Sequence, residues 1–580
     1  MSTDSNGTLG TSFEPGAGVA GPRGQIAHPD SIAHTTRLQR RLYAVGEHAW
    51  CLVGNGLSNQ TFVEAPEGLI VIDTGESIEE MTSALEEIRR VTQTPVAACI
   101  YSHFHYVNGT RALLGETVDG RLEIYGHDRI DLNRGRYSGE VGPRTSRGVV
   151  HQFGVLLPGE GPDALVNVGL GLFFRNPDHA PYTPGYLPAA HRIDAPQTFT
   201  IAGLEARLVP APSDADDSIT IHFPAYDLTV NNLLWPALFN VFAIRGEAYR
   251  DPRVVLDGLD HLLELAPQHL IGTHGPPLSG RAEIRAALLD YRDAIQFMWD
   301  QTVRGANRGL SLNELTSFVQ LPERFQRSHF TRQFYGLVEH HVRQIHAGLF
   351  GWFDEDEANL LPVPAPERAR RLIDGFGGVA DVRAQVDAAL AAGDFRWAIE
   401  LASWLVRCER GADGRADAGT PEDRQRLAGA LRGVARGTTS ANLRNWCLTR
   451  ALELDGSIDL SRFRTHRFRA EELAGEPPQQ AVPVLRVLLD PARAEGLDRE
   501  IRFEFDNGAA AGLHVRGCVA VPTSGADADL ALSLDQATWI RLLTGKLRLT
   551  EAIASGAARC TGSRDELLRV LAVFDLPGFA

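Results

Sequence analysis

Between residues 41 and 75, short apolar runs alternate with polar turns: RLYAVGEHAWCLVG, NQTFVEA and GLIVIDTG. The β-branched and aromatic content and the glycine punctuation predict strands of one sheet. The period then lengthens. In SIEEMTSALEEIRRV, Ile78, Met81, Leu85 and Ile88 recur at helical steps, which predicts an amphipathic helix. PVAACIYSHFHYVNGTRALL reads as an apolar strand running into a loop and then a helix. This strand–helix–strand order predicts an α/β layer.

Residues 130–200 are rich in Gly and Pro and are expected to be irregular. A loop region of that length is usually functional or poorly ordered. Strands return at TFTIAGLEARLVPAP, SITIHFP and LTVNNLL, and HLIGTHGPP looks like a last strand ending near His274. From about 283 to 455 the pattern is helical, as in IRAALLDYRDAIQFMWDQTVRGA and NLRNWCLTRALEL, with a polar insertion at 411–420. AEELAGEPPQQAVP, at 470–483, reads as a linker. The last hundred residues return to mixed α/β. The expected division is a disordered leader (1–35), an α/β domain (36–300), a helical domain (301–455), a linker (456–483) and a small α+β domain (484–580).

Composition narrows the function classes. The chain has 580 residues, 43% of them apolar, which is enough for several packed cores. Its 57 basic and 73 acidic residues give a net charge of −16, which disfavours nonspecific nucleic-acid binding. Lys546 is the only lysine, so a lysine nucleophile or Schiff base is nearly excluded. The six cysteines are scattered, with no C-x-x-C pair, and a secreted disulfide scaffold would be far denser. No apolar run approaches the length of a membrane span. The first 30 residues lack the basic start and apolar run of a signal peptide. Together these features point to a soluble cytoplasmic protein.

The densest chemical signal is Ser102-His103-Phe104-His105 at the end of an apolar strand. In an extended segment, alternation puts His103 and His105 on one side, where two imidazoles could chelate one metal. The plain alternative is two polar residues on a strand face. Asp73 in VIDTG, Asp214 after ARLVPAP and His274 after HLIGT also lie at strand ends. Several strands ending in His or Asp can build a metal site at one edge of an α/β sandwich.

Here the chain resembles the metallo-β-lactamase fold and, within it, the alkylsulfatase family. That family carries T-H-x-H-x-D-H-x-x-G, where this sequence reads Ser102-His103-Phe104-His105-Tyr106-Val107-Asn108-Gly109. VHQFGVLLP is similar to the family's Y-Q-F-G-x-x-L-P, and NVFAIRGE to its N-L-Y-T-L-R-G. FYGLVEHHVRQIHAGLFGWFDEDEANLLPVPAPERARR and AGDFRWAIELASWLV resemble the alkylsulfatase dimerisation domain. LLTGKLRLTEAIASGAARCTG resembles a sterol-carrier-protein-2-type (SCP2-like) module. The resemblance runs from about residue 40 to the C-terminus. It implies an αββα sandwich, then an all-α dimerisation domain and a small α+β SCP2-like domain that recruits hydrophobic chains through an apolar tunnel.

The family implies a two-zinc hydrolase. Carried over by position, the metal ligands are His103, His105, Asp214 and His274. A second family glutamate falls on Asn231 or Asn232. The sulfate-facing arginine becomes Arg245, and Tyr335 and Asn108 join Asp214 as catalytic candidates. Asn240 and His151, the latter in place of a family tyrosine, are candidate substrate contacts. The departures matter as much as the matches. The family's aspartate falls on Val107, which cannot ligate a metal, and its last histidine on Asn108, a poor zinc partner. One divalent metal is therefore expected, zinc first and ferrous iron as the alternative.

Three readings follow. The first is a single-metal sulfatase acting on a sulfate ester of a hydrophobic small molecule, with Arg245 gripping the anion as a bidentate fork. A −16 chain would need such a cationic pocket locally. The second is a diverged enzyme using one redox metal for oxidative chemistry. The third is a noncatalytic dimeric binding protein. A homodimer is expected in each case. His340, His341 and His346 on one helix, the Gly169-Leu170-Gly171 turn and the Trp352-Phe353 pair read more simply as packing, turn and interface residues.

Overall fold

The computed structural model describes residues 12–136, 139–411, 414–415 and 417–579. The chain forms two compact units. One holds residues 12–134 and 148–459, and the other holds 135–147 and 460–579.

The first unit opens with a short hairpin, β1 (Val19–Ala20) and β2 (Ile26–Ala27), and the helix Pro29–His34. Residues 12–35 are thus ordered, where a disordered leader was expected; residues 1–11 lie outside the described residues. Physically, Pro29 and the His28 cap start the helix, and buried Phe13 bridges Thr438 and joins the helical core.

Two sheets follow. The first, in spatial order, is β3 (Arg41–Val45), β4 (Ala49–Val53), β5 (Gln60–Ala65), β6 (Gly68–Ile72), β7 (Val96–Ile100), β8 (Glu123–His127) and β9 (His191–Ile193). Its first four strands are antiparallel, and β6 to β9 pair in parallel. The second sheet is β10 (Gln197–Ile201), β11 (Leu204–Pro210), β12 (Ile219–Phe223), β13 (Leu228–Asn231), β14 (His269–Gly272) and β15 (Leu278–Ser279).

The facing sides of the two sheets share one core, in which Val63, Ile70, Ile72 and Ile100 meet Ile219, Phe223, Val230 and Ile271. The outer face of the first sheet is covered by the helix Ile78–Ile88, whose Met81, Leu85 and Ile88 pack on Leu69, Val71 and Cys99. The outer face of the second is covered by the helices Pro252–Leu265 and Arg281–Ala306. Covering both faces explains why β6 is buried at every position instead of alternating. The result is an αββα sandwich. The stretch 130–200, expected to be irregular, contains the helices Ile130–Arg136 and Gly142–Phe153.

Helices from Leu312 to Leu454 continue the same unit. Val338, Val342 and Ile345 of the helix Val338–Phe350 join the core under the second sheet. The four helices Val379–Ala392, Phe395–Arg407, Pro421–Gly437 and Ala441–Leu454 pack around Val386, Leu401, Leu431 and Leu448. Part of the polar insertion at 411–420 lies outside the described residues.

The second unit is a five-stranded sheet with helices. Its order is β18 (Val519–Thr523), β17 (Ala510–Arg516), β16 (Asp498–Phe505), β19 (Leu530–Leu534) and β20 (Ala558–Thr561). Trp539 is buried against Phe503, Phe505 and Phe579 beside the sheet. The expected linker belongs to this core. Leu473, Ala481 and Val482 are buried in it, and the segment contains the helix Ala470–Ala474. Apolar spacing of that kind overrides the Pro and Gly signals of a linker.

Candidate functional site

The strand β7 delivers the site. After Ile100 the chain stays extended through His103, then tightens into a 3-10 turn over Phe104–Tyr106. His103 and His105 therefore do not share one strand face, as alternation predicted. The turn brings Nε2 of His103 to 3.0 Å from Nδ1 of His105. The turn is clamped behind: Thr74 N–H donates to the Tyr106 carbonyl, and a Cβ at Gly109 would lie 2.1 Å from the Thr74 carbonyl oxygen.

Asp214, from the loop after β11, completes the group. Its carboxylate lies 3.4 Å from His105 Nδ1 and 3.9 Å from His103 Nε2. Asn232, just beyond β13, donates to Asp214 Oδ1 at 2.7 Å. Among the described residues, His103, His105 and Asp214 are the cluster able to hold a metal ion.

Hydrogen bonds select the free nitrogen of each imidazole. Ser102 Oγ donates to Asp73 Oδ2 at 2.6 Å, so it accepts from His103 Nδ1 at 2.8 Å. The Nε2 lone pair of His103 then faces the cluster. Nε2 of His105 lies 3.6 Å from Glu247, leaving Nδ1 toward Asp214. His274 gives its Nδ1 to the Leu57 carbonyl at 3.0 Å, and its Nε2 lies 3.5 Å from the Tyr106 hydroxyl. His274 thus borders the three-residue cluster without belonging to it. Carboxylates and carbonyls behind histidines are the usual way a protein orients metal ligands.

The electrostatics agree. Burial pushes His103 down to about 3 and His274 to about 4, so both stay neutral. Burial opposes a charge on His105 as well, but Asp214 and Glu247 outweigh it and raise His105 to about 9. Burial would raise Asp214, yet the neighbouring histidines, of which His105 carries the charge, hold it well below the carboxylate range. In this state one proton on His105 sits among three donor atoms. A divalent cation suits the same donors, because imidazole nitrogens and a carboxylate are its usual ligands.

The positions expected to hold a second metal are differently occupied. Val107 is fully buried with Met81 and Leu113 in the core under the first sheet. The backbone of Asn108 is fixed to Gly75 and Gly185. Asn231 donates to the Ile271 carbonyl and caps Leu233 and Leu234.

Arg245 is buried beside the cluster, but it is not an open fork. Its Nε donates to Glu247 at 2.6 Å, its Nη2 pairs with the same carboxylate, and its Nη1 lies 3.4 Å from the Tyr335 hydroxyl. Arg250 pairs with the other Glu247 oxygen and donates to the Asn240 carbonyl at 2.7 Å. Burial would raise Glu247, but Arg245 and Arg250 hold it strongly ionised. Asn240 is fully buried. Its amide has no hydrogen-bond partner among the described residues. His151 faces Trp446, with ring centroids 5.7 Å apart.

Glu247 and Gln152 do not stand out in the sequence. Gln152 donates to the Tyr335 hydroxyl at 2.8 Å and accepts from the Arg245 backbone N–H at 3.1 Å. The available signals were their adjacency to Arg245 in RGE and to His151 in HQF. His340, His341 and His346 lie on one helix and do not join the cluster.

Comparison with known proteins gives concordant results. A family model described as "Alkyl sulfatase dimerisation" matches residues 311–457, and one described as "Alkyl sulfatase C-terminal" matches 469–580. A linear primary-alkylsulfatase of a Pseudomonas strain is 32% identical over 530 residues, covering 88% of this chain and 98% of the relative. An (R)-specific secondary-alkylsulfatase of Pseudomonas is 27% identical, covering 95% of this chain and 82% of the relative. The solved structure of the inverting sec-alkylsulfatase Pisa1 from Pseudomonas superposes with a TM-score of 0.81 at 24% identity, covering 97% of this chain and 92% of that one. That likeness establishes the shared fold.

Proposed function

The chain belongs to the alkylsulfatase family and is a sulfuric-ester hydrolase built on an αββα sandwich; from that premise we propose that it cleaves the sulfate ester of a hydrophobic small molecule at a single-metal site. The observation that carries this reading is the convergence of His103, His105 and Asp214 beside Arg245 and Tyr335, with Val107 buried in apolar core.

His103, His105 and Asp214 would hold the metal, with His274 as the neighbouring imidazole. A divalent ion there supplies Lewis acidity and positive charge for the ester oxygens. Zinc fits the two imidazoles and one carboxylate. The same donor set also suits non-haem iron, so oxidative chemistry is the second reading. The protein's own groups do the positioning. Arg245 and the Tyr335 hydroxyl are the donors that would meet a sulfate once Arg245 is released from Glu247, and Gln152 fixes both. Burial of these groups strengthens each charge interaction by excluding water.

The subunits are proposed to pair through the helical segment matched by the dimerisation model. Trp352, Leu360 and Leu361 are strongly exposed there, in a stretch the rest of the unit leaves uncovered. The C-terminal unit is read as SCP2-like and as contributing to recruitment of apolar chains. No helix among the described residues is long and apolar enough to cross a membrane. Six unpaired cysteines support a reducing, cytoplasmic setting.

The test is release of inorganic sulfate from linear and branched alkyl sulfates by the full chain. Release that is lost in His103→Ala supports the reading. Oxygen uptake by an iron-loaded protein, without sulfate release, supports the second reading instead.

A further inference from the structure

The site carries its own anion. Glu247 places one carboxylate oxygen on Nε and Nη2 of Arg245 and the other on Arg250. The three side chains are each less than a tenth exposed. The Nε/Nη2 edge of a guanidinium is one through which arginine grips an oxyanion with two parallel bonds. A sulfate ester offers the same charge and the same acceptor oxygens. Two anions cannot share that edge.

This inference rests on the reading that the substrate is a sulfate ester bound at Arg245. We propose that Glu247 is an internal competitor for Arg245, and that the substrate's sulfate displaces the carboxylate from that arginine when it binds. Glu247 keeps partners when it lets go. One oxygen stays on Arg250, and the other already lies 3.6 Å from Nε2 of His105. The buried carboxylate therefore remains paired throughout the exchange, which avoids the large cost of an isolated buried charge. Breaking the Arg245–Glu247 pair subtracts from the affinity for any incoming anion. Anions unable to offer two well-placed oxygens gain too little to open it. Glu247 thus acts as a specificity-determining residue: it weakens sulfate binding and sharpens anion selection.

The experiment is calorimetric titration of the full chain and of Glu247→Gln with inorganic sulfate, with alkyl sulfate hydrolysis measured on the same preparations. Glutamine keeps the size and one acceptor while removing the charge. The variant is expected to bind sulfate at least about tenfold more tightly, with the KM for the ester moving the same way. Equal or weaker binding by the variant overturns the proposal. Because removing Glu247 leaves two buried arginines together, a second measurement uses the unmodified chain. In its crystal structure with sulfate, Arg245 should hold the sulfate while Glu247 retains Arg250. Sulfate bound with the Arg245–Glu247 pair intact, or no sulfate at Arg245, overturns it. Hydrolysis without a gain in sulfate affinity defeats the exchange and leaves the proposed function standing. A gain in affinity without hydrolysis by the unmodified chain does the reverse.

Discussion

Nε2 of His103 and Nδ1 of His105 face each other 3.0 Å apart, with the Asp214 carboxylate closing the third side. Ser102 holds this geometry from behind by linking His103 to Asp73. Two substitutions separate ligand from support. His103→Ala should lose nearly all metal after dialysis. Ser102→Ala should keep the ligands but bind metal about 10- to 100-fold more weakly. Competition with a chromophoric chelator measures both. Unchanged affinity in Ser102→Ala would show that the Asp73–Ser102–His103 chain does not orient the ligand.

Gln152 is expected to be a positioning residue. Gln152→Ala removes the donor to the Tyr335 hydroxyl and the acceptor for the Arg245 backbone N–H. Each such bond is worth on the order of 1 kcal/mol. The expected result is a fall in kcat/KM of roughly tenfold, mainly through KM, with metal content unchanged. A drop in metal content instead would assign Gln152 to the integrity of the metal centre.

The helical segment makes its own prediction. Trp352 is 73% exposed and Leu361 is 92% exposed. Replacing both with Asp should convert a dimer to a monomer in sedimentation equilibrium, with little change in the thermal midpoint. A dimer that survives the double substitution would place the interface elsewhere.

Stability should fall in mild acid because several histidines are buried neutral, among them His34 and His329 away from the metal-binding cluster. His34 stacks on Phe334 with ring centroids 4.2 Å apart, and its Nε2 bonds the Gly169 carbonyl at 2.7 Å. Burial lowers His34 from 6.5 to about 4, and burial with His34 and Arg37 nearby lowers His329 to about 3. Below 6.5 the unfolded chain therefore binds protons that the folded chain does not. Stability is lost as pH falls from 6.5 toward 4, on the order of 3 kcal/mol for His34 alone. Urea midpoints at pH 7.5 and 5 should differ less in His34→Phe than in the unmodified chain. An equal difference would show that His34 does not contribute to the acid sensitivity.

Much of this architecture is legible in the sequence. The change from strand to helix period at Ser77, where the Ser77 side chain caps Glu80 N–H, marks the first helix directly. The H-x-H pair and Asp214 could be singled out as candidate ligands because metal chemistry restricts residue type and because they lie at strand ends. Other features depend on contacts made far along the chain. Residues 12–35 read as disordered because their partners, Thr438 and residues 329–334, lie some three to four hundred positions away. Glu247 reads as an ordinary polar residue until folding sets it against His105. Arg245 is expected to face sulfate from the resemblance alone; its pair with Glu247, and the approach of Arg250 to the same carboxylate, are contacts that the letters RGEAYR do not announce.

The proposed function requires a sulfatase built on one metal. The most direct measurement is metal stoichiometry by plasma mass spectrometry on the full chain, with sulfate release assayed on the same preparation. The expected result is one equivalent of divalent metal per chain and sulfate release that vanishes in His103→Ala. Two equivalents per chain, or sulfate release from metal-free protein, would contradict it.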